Sequence, residues 1–183
     1  MKPIFLDRDG VINRNKGYVF SWDDFSFLSG SLNALQILTR LKYDIFIITN
    51  QSGIARGYYS ETDVYKLHTK LLEFLMLNHV RIAGIYFCPH HPTVEHPHYG
   101  KECKCRKPRP GMLLQAASEY DFNCSEAIMI GDKVTDVLAG YNAGVKKSYL
   151  ISDNEIPLSY LYEHNAKRVS SLLSAVLELQ SEI

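Results

Sequence analysis

The chain has 183 residues, a hydrophobic fraction of 46%, and 20 basic side chains balanced by 20 acidic ones. This length and composition are ordinary for one globular domain with a buried core, so we expect residues 1–183 to form a single domain. The balanced charge excludes bulk attraction to nucleic acid or to a membrane surface, and no apolar run approaches the length of a transmembrane helix. Because the first residues become acidic by Asp7, they do not resemble a signal peptide, and we expect a cytoplasmic protein.

Short apolar runs alternate with helical patterns along the whole chain. The runs predict five strands, at 3–6, 44–48, 82–87, 127–130 and 146–151. Apolar residues at helical spacing predict helices between the strands and a closing helix after Ser170. Buried strands separated by helices are typical of a parallel sheet covered on both faces. We therefore expect an α/β fold, a three-layer Rossmann-like sandwich around a mostly parallel five-strand core sheet.

Two carboxylates follow the first predicted strand directly, in the sequence Asp7-Arg8-Asp9-Gly10. In an extended backbone, residues i and i+2 point the same way, so Asp7 and Asp9 can face one reaction centre. Such a pair suits a nucleophile with a general acid, or a metal site. The same pattern is also ordinary turn chemistry, so by itself it leaves both interpretations open.

Two further predicted strands also end in polar groups, and ligands of open α/β sheets bind beyond the carboxyl ends of the strands. The strand at 44–48 precedes a hydroxyl and several amides able to hold phosphate oxygens, in Thr49-Asn50-Gln51-Ser52-Gly53. The strand at 127–130 precedes Gly131-Asp132-Lys133, and Asp136 shares a face with Asp132 if a helix begins there. Each group alone could be a turn or a helix cap. Their consistent order at strand ends favours a phosphoryl-transfer site.

The polar segment from Cys88 to Arg109 is rich in His, Pro and Cys, and so long a loop is usually functional or held in place. It contains three of the four cysteines, which in a reducing compartment favours metal binding over disulfides. Cys88, His90, Cys103 and Cys105 together offer a tetrahedral set for a structural Zn²⁺. We choose His90 because alternate residues point the same way. The rival ligands are three other loop histidines, His91, His96 and His98.

Several of these blocks together resemble the haloacid dehalogenase superfamily of phosphatases. They are Asp7-x-Asp9-Gly, the Thr49 segment, Lys107 and Gly-Asp132-x-x-x-Asp136. Longer blocks within residues 3–150 look like the D-glycero-D-manno-heptose-1,7-bisphosphate 7-phosphatases of that superfamily. They are Phe5-Leu-Asp-Arg-Asp-Gly, Thr49-Asn-Gln-Ser-Gly-Ile-Ala-Arg-Gly, Cys88-Pro-His-His-Pro, Cys105-Arg-Lys-Pro-Arg-Pro-Gly-Met and Gly131-Asp-Lys. The resemblance implies a Mg²⁺-dependent phosphatase without a large cap domain. Its substrate would be a sugar bisphosphate from lipopolysaccharide-core precursor synthesis, and it would lose the C7 phosphate.

The resemblance also implies a role for each catalytic residue. Asp7 would be the nucleophile that forms an aspartyl-phosphate, and Asp9 would be the general acid and then the general base. Mg²⁺ would be held by the carboxylates of Asp7 and Asp132 and by the main-chain carbonyl of Asp9. Thr49 and Lys107 would hold the transferring phosphoryl oxygens.

The remaining site residues are expected around this centre. Asp136 would orient Lys133 or a metal-bound water. The expected further substrate contacts are Arg8, Asn15, Lys16, Gly17, Tyr18, Asn50, Gln51, Ser52, Arg106 and Lys133. We expect a monomer whose only partner is the small sugar bisphosphate.

Three alternatives remain at this point. The first is a histidinol-phosphate phosphatase, because this chain also resembles those enzymes in its scaffold and in its cysteine-rich loop. Bacterial receiver domains also combine clustered acids, a Thr and a Lys on a similar sheet, but they need a phosphorylatable Asp at the end of the third strand, where this chain has Tyr86-Phe87-Cys88. A catalytically silent phospho-ligand-binding module is the third alternative, although no essential group is missing from the sequence.

Overall fold

A computed structural model describes residues 1–153 and 155–182 of the chain. In these residues six strands alternate with six α-helices. The strands are β1 (Pro3–Leu6), β2 (Asp44–Asn50), β3 (Ile82–Cys88), β4 (Ile128–Gly131), β5 (Lys147–Ile151) and β6 (Ala166–Val169). The helices are α1 (Ser31–Arg40), α2 (Glu61–Leu77), α3 (Gly111–Glu119), α4 (Val134–Ala143), α5 (Leu158–Glu163) and α6 (Leu172–Ser181).

All six strands pair in parallel, in the order β3-β2-β1-β4-β5-β6. The strands β2 and β3 follow one another on one side of β1. The chain then crosses to the other side of β1, where β4 pairs with it. The loops that follow β1 and β4 therefore part from each other at the carboxyl edge of the sheet, which opens a crevice there. The predicted acidic residues follow these two strands.

The core lies on both faces of the sheet, which confirms the predicted three-layer fold. Successive residues of β1 point to opposite faces, and Ile4, Phe5 and Leu6 are all fully buried. Ile4 and Leu6 belong to the hydrophobic core that includes residues of α1, α2 and α6, whereas Phe5 packs with residues of α3 and α4. A buried central strand of this kind holds the loop after Leu6 in a fixed position.

The helix α2 illustrates how local sequence sets these elements. Its first turn is a capping box, in which Ser60 Oγ accepts from the backbone N–H of Asp63 and the Asp63 carboxylate accepts from the backbone N–H of Ser60. The helix then buries one stripe of side chains, comprising Val64, Leu67, His68, Leu71 and Leu75. The histidine in this apolar stripe lies beneath the loop that follows β1.

The predicted number of strands was one too low. The sixth strand, β6, has four residues, and its Lys167 and Arg168 are exposed. Short edge strands commonly carry charged side chains because only one of their backbone edges is paired. Such a strand has neither an apolar run nor a clean alternation, so the hydrophobic pattern does not indicate it. In the part of the chain that the structure describes, no helix is both long and apolar enough to cross a membrane.

Candidate active site

A cavity of about 320 Å³ opens at the carboxyl edge of the sheet, where the loops after β1, β2 and β4 meet. Most of the predicted site residues line it, namely Asp7, Asp9, Asn15, Gly17, Tyr18, Thr49, Asn50, Gln51, Ser52, Lys107 and Lys133. Tyr59, Thr135 and Asp136 complete the lining. Residues from five separate segments are thus brought together in one place.

Lys107 is the buried cation of this site, with 3% of its surface exposed. Its Nζ donates to Oδ1 of Asp7 at 2.8 Å and to the carbonyl of Ile48 at 2.7 Å, and it pairs with Oδ1 of Asp136 at 2.7 Å. Burial lowers the pKa of Lys107, but Asp136 and Asp7 outweigh burial, so the net pKa lies above its ordinary value. Lys107 is therefore a fixed, fully charged ammonium at the floor of the cavity.

The backbone of Lys107 is held as firmly as its side chain. Asn50, the last residue of β2, donates from Nδ2 to the Lys107 carbonyl at 3.1 Å and accepts from the Lys107 N–H at 3.1 Å. The carboxamide of Asn50 therefore fixes the loop that delivers Lys107, in addition to lining the cavity.

Asp136 contacts Lys133, as expected, and also Lys107, a partner that the sequence did not indicate. One of its oxygens pairs with Lys107 Nζ, and the other accepts from the backbone N–H of Lys133 at 2.9 Å, as the cap of α4. It therefore orients Lys107, and its contact with Lys133 is through the backbone N–H of that residue. Because α4 begins at Val134, Asp132 lies just before the helix and does not share a helical face with Asp136.

Asp9 accepts hydrogen bonds from three side chains. Arg8 Nη2 donates to both of its oxygens, at 3.1 and 2.9 Å. Asn13 Nδ2 donates to Oδ1 at 2.9 Å, and Gln51 Nε2 donates to Oδ2 at 3.0 Å. These four contacts define the plane of the Asp9 carboxylate at the wall of the cavity.

The Thr49 hydroxyl is oriented by a chain of buried groups. Tyr59 donates from its hydroxyl to Oε1 of Gln51 at 2.7 Å, which fixes the Gln51 amide. The Gln51 amide then donates to Thr49 Oγ1 at 2.9 Å. Because Oγ1 is already an acceptor in this contact, the Thr49 O–H is left to donate into the cavity. Burial raises the pKa of Tyr59 to about 12, so its hydroxyl keeps its proton.

Three carboxylates surround the single buried ammonium, so the site has an excess of negative charge. Oxygens of Asp7, Asp132 and Asp136 all lie within 4.8 Å of one another. Burial raises the pKa of Asp7, which Lys107 opposes, and burial likewise raises the pKa of Asp132. Among the described residues, Oδ1 of Asp132 is buried without a hydrogen-bond partner. A bound cation would satisfy that oxygen and offset the excess charge, so these residues fit Mg²⁺.

Gly10 allows the loop after β1 to approach Asp132 this closely. Its φ is +90°, and a Cβ atom at this position would lie 2.1 Å from Oδ2 of Asp132. Only glycine combines that backbone conformation with that contact.

The second predicted metal site is a cluster of three thiols and one imidazole. The Sγ atoms of Cys88, Cys103 and Cys105 lie 3.1 to 3.5 Å apart. Nδ1 of His90 lies 3.6 Å from Cys88 Sγ and 3.4 Å from Cys105 Sγ. A tetrahedral Zn²⁺ with bonds of about 2.3 Å holds its sulfur ligands roughly 3.8 Å apart, so the cluster fits that ion.

The rival histidines lie outside this cluster. Nδ1 of His91 contacts the Thr93 hydroxyl at 3.1 Å, and Nδ1 of His96 accepts from the backbone N–H groups of His98 and Tyr99. Among the described residues, His90 is the histidine whose ring nitrogen lies within 4.8 Å of all three cysteine Sγ atoms.

Three predicted substrate contacts do not line the cavity. Arg8 is completely buried behind Asp9, so a direct contact of its side chain with substrate does not fit the structure. Lys16 donates to the carbonyl of Asp24 at 3.1 Å. Arg106 donates from Nη1 to the His90 carbonyl at 3.1 Å, within the cysteine loop. The side chains of Lys16 and Arg106 are held by hydrogen bonds to nearby backbone carbonyls. Their positions in the sequence do not indicate these contacts.

Sequence reasoning missed Tyr59, Thr135 and His68. Tyr59 packs over Gly53, where a Cβ atom would lie 2.2 Å from its ring, so the glycine was an available signal. His68 stands in the apolar stripe of α2, and a titratable residue in such a stripe was a second available signal. We know of no pattern that indicates Thr135.

Comparison with known proteins agrees with this geometry. Residues 104–155 match the model of the HAD-hydrolase-like family. The chain is 42% identical, over 97% of its length and 94% of the relative, to the D-glycero-beta-D-manno-heptose-1,7-bisphosphate 7-phosphatase of Pasteurella multocida. It is 40% identical, over 96% of its length and 88% of the relative, to the alpha-anomer phosphatase of Burkholderia mallei.

A solved structure supports the same family assignment. The D,D-heptose 1,7-bisphosphate phosphatase from B. bronchiseptica, complexed with magnesium and phosphate, is 31% identical, covers 100% of both chains and superposes with a TM-score of 0.83. The chain therefore belongs to the D-glycero-D-manno-heptose-1,7-bisphosphate 7-phosphatase family of haloacid dehalogenase-like hydrolases.

Proposed function

We propose that the protein hydrolyses the C7 phosphate ester of D-glycero-D-manno-heptose 1,7-bisphosphate, through an aspartyl-phosphate on Asp7. The product, the 1-phosphate, would serve ADP-heptose and lipopolysaccharide-core precursor synthesis. The observation that carries the proposal is the meeting of Asp7, Asp9, Thr49 and Lys107 in one cavity at the carboxyl edge of the sheet. The names and the identity of the relatives supply the substrate.

In the first step, Asp7 attacks phosphorus and the bond between phosphorus and the C7 oxygen breaks. Lys107 engages Oδ1 of Asp7, which leaves Oδ2 for the attack. Asp9 must be protonated when substrate is bound, and the departing C7 oxygen takes that proton, so the sugar leaves as an alcohol. Lys107 and the Thr49 hydroxyl hold the phosphoryl oxygens, where negative charge is concentrated during transfer.

In the second step, water attacks the phosphorus of the aspartyl-phosphate. Asp9, now ionised, takes a proton from that water, and the bond between phosphorus and Asp7 breaks. Inorganic phosphate leaves, and both carboxyl groups return to their starting states. One displacement is thereby split into two, each with a positioned proton donor or acceptor.

Mg²⁺ is the proposed catalytic cofactor. The carboxylates of Asp7 and Asp132, with the main-chain carbonyl of Asp9, would hold it, and the bound ion would neutralise charge between Asp7 and the incoming phosphate. The unpartnered Oδ1 of Asp132 supports this assignment. Both oxygens of Asp136 are engaged by Lys107 and Lys133, which leaves it a less suitable ligand.

Zn²⁺ is the proposed structural cofactor, held by Cys88, His90, Cys103 and Cys105. Four protein ligands leave no open coordination position, so its role is positional. Lys107 follows Cys105 by only two residues, so ordering the cluster also orders the catalytic ammonium.

The rest of the cavity would bind the sugar and its distal phosphate. The candidates that line it are Asn15, Gly17, Tyr18, Asn50, Ser52 and Lys133. Lys133 is exposed at the rim and is the cation best placed for the C1 phosphate. One chain supplies the whole site, which supports a working monomer. Reduced thiols in the zinc cluster suit the cytoplasm.

Phosphate release from purified protein tests the proposal. With Mg²⁺ present, both anomers of the heptose bisphosphate should be hydrolysed, because relatives of similar identity act on each anomer. Histidinol phosphate lacks the second anion and should have a far lower kcat/KM. Equal efficiency on histidinol phosphate would refute the substrate assignment, and the absence of any phosphatase activity would refute the reaction.

A further inference from the structure

Arg8 is a completely buried arginine that joins three segments around the proposed general acid. It lies between the two catalytic acids in sequence, with no exposed surface. Its Nη2 donates to Asp9 and, at 2.6 Å, to the carbonyl of Val19 in the loop at the cavity mouth. Its Nη1 lies 3.0 Å from Nε2 of His68 on α2.

A buried guanidinium is costly unless its charge and its N–H groups are matched, so this arrangement calls for an explanation. Asp9 supplies the opposite charge, and Val19 and His68 supply neutral acceptors. Arg8 Nε has no hydrogen-bond partner among the described residues. Asp9 is the one charged group among these three partners, so the contact with Asp9 is the distinctive property of Arg8.

His68 can serve Arg8 only as a neutral acceptor. Its ring is 5% exposed, and burial together with the adjacent Arg8 lowers the pKa of His68 to about 3. Nε2 therefore accepts from the guanidinium, which requires the ring proton to be on Nδ1. With His68 anchored in the apolar stripe of α2, the guanidinium has one preferred orientation.

We infer that Arg8 and His68 are positioning residues for Asp9: His68 orients the Arg8 guanidinium, and Arg8 holds the Asp9 carboxylate in the plane from which it exchanges a proton with the C7 oxygen. The inference rests on the proposed phosphatase function. Asp7 is held independently by Lys107, so loosening Arg8 should leave the nucleophile in place. The defect should therefore concern proton transfer to the leaving group.

Substrates that differ in leaving group separate this role from a general structural one. The two substrates are the heptose bisphosphate and p-nitrophenyl phosphate. The sugar alcohol must be protonated as it leaves, whereas p-nitrophenolate leaves without a proton. Single-turnover release of each alcohol, measured with a saturating excess of enzyme over substrate, reports the first displacement alone. His68→Leu removes the acceptor, and His68→Asn is a polar second variant whose shorter side chain falls short of Nη1. His68→Gln keeps an acceptor near the position of Nε2.

We expect His68→Leu and His68→Asn to slow release of the sugar about tenfold or more, and release of p-nitrophenol less than about threefold, since modest misplacement of a catalytic group costs rate steeply. His68→Gln should restore most of the sugar rate. Leu71→Val, one turn along α2 in the hydrophobic core, is the control for lost stability and should slow neither substrate.

Two results would overturn the inference. One is equal slowing of both substrates by the His68 variants, which would indicate a structural role. The other is unchanged release of the sugar. Wild-type activity on the heptose bisphosphate is read separately: its absence would refute the proposed function, whereas an active wild type with equally slowed variants would refute only the positioning role.

Discussion

Replacing Lys107 by Met tests the charge balance of the site most sharply. The substitution keeps an unbranched side chain but removes the ammonium that lies 2.8 Å from Asp7 and 2.7 Å from Asp136. It leaves two carboxylates within 4.8 Å of each other, with 6% and 1% of their side chains exposed. Two full unit charges at that distance would repel by about 3.5 kcal/mol at an effective dielectric constant of about 20, and this is an upper bound because burial raises the pKa of Asp7, so that Asp7 can take up a proton.

We therefore expect Lys107→Met to lower the free energy of unfolding by about 3 kcal/mol in metal-free buffer, the range found when one partner of a buried ion pair is removed. Mg²⁺ should stabilise this variant more than the wild type, because it offsets the excess charge. Phosphatase kcat should fall about 100-fold or more, since the transferring phosphoryl group loses a fixed cation.

Urea unfolding followed by circular dichroism, with and without Mg²⁺, measures the first two effects. Lys147→Met is the matched control: this lysine pairs with Glu178 and Glu182 at the surface, and its loss should cost less than about 1 kcal/mol. If Lys107→Met and Lys147→Met lose the same stability, or if Lys107→Met keeps wild-type kcat, the reasoning about this site is wrong.

Three further outcomes follow from the structure. Stability should fall as the pH drops from 6.5 towards 3, because unfolded His68 takes up a proton that the folded chain excludes; the part due to His68, about 2 kcal/mol by about pH 5, should be missing from His68→Gln in acid-unfolding curves. Cys103→Ser should lower the melting temperature, and it should lower the zinc content, measured by atomic absorption, below the one ion per chain expected for the wild type. Unchanged values of both would refute the zinc site. Gly10→Ala should displace Asp132 and weaken activation by Mg²⁺ about tenfold in a metal titration, and unchanged activation would contradict the assigned metal ligand.

The fold and the two clusters of candidate metal ligands were largely predictable because their signals are local. Buried strands appear as apolar runs, and the side chains that follow them must meet at one edge of a parallel sheet. The same logic brought Asp7, Thr49 and Asp132 to neighbouring strand ends. Alternation in an extended segment predicted His90 beside Cys88, and the structure places these two side chains together.

Other features depend on contacts between distant segments, which a pattern cannot resolve. Arg106 is adjacent to Lys107, yet its guanidinium donates to the carbonyl of His90 in the cysteine loop and does not line the cavity. Arg8 stands between Asp7 and Asp9 in sequence, but its side chain turns inward to His68, which is 60 residues away in sequence. The strand β6 was not predicted because its charged side chains interrupt the apolar pattern that indicates the other strands.

Detection of the phosphoenzyme is the most direct test of the central claim, that Asp7 carries the phosphoryl group. The wild type should be mixed with heptose bisphosphate that is radiolabelled at the C7 phosphate, quenched in acid within one turnover, and digested for peptide mapping. We predict an acid-stable, base-labile label on the peptide that contains Asp7, and no label or turnover with Asp7→Asn, whose neutral amide does not attack phosphorus. A label on another residue, or wild-type turnover by purified Asp7→Asn, would contradict the covalent mechanism.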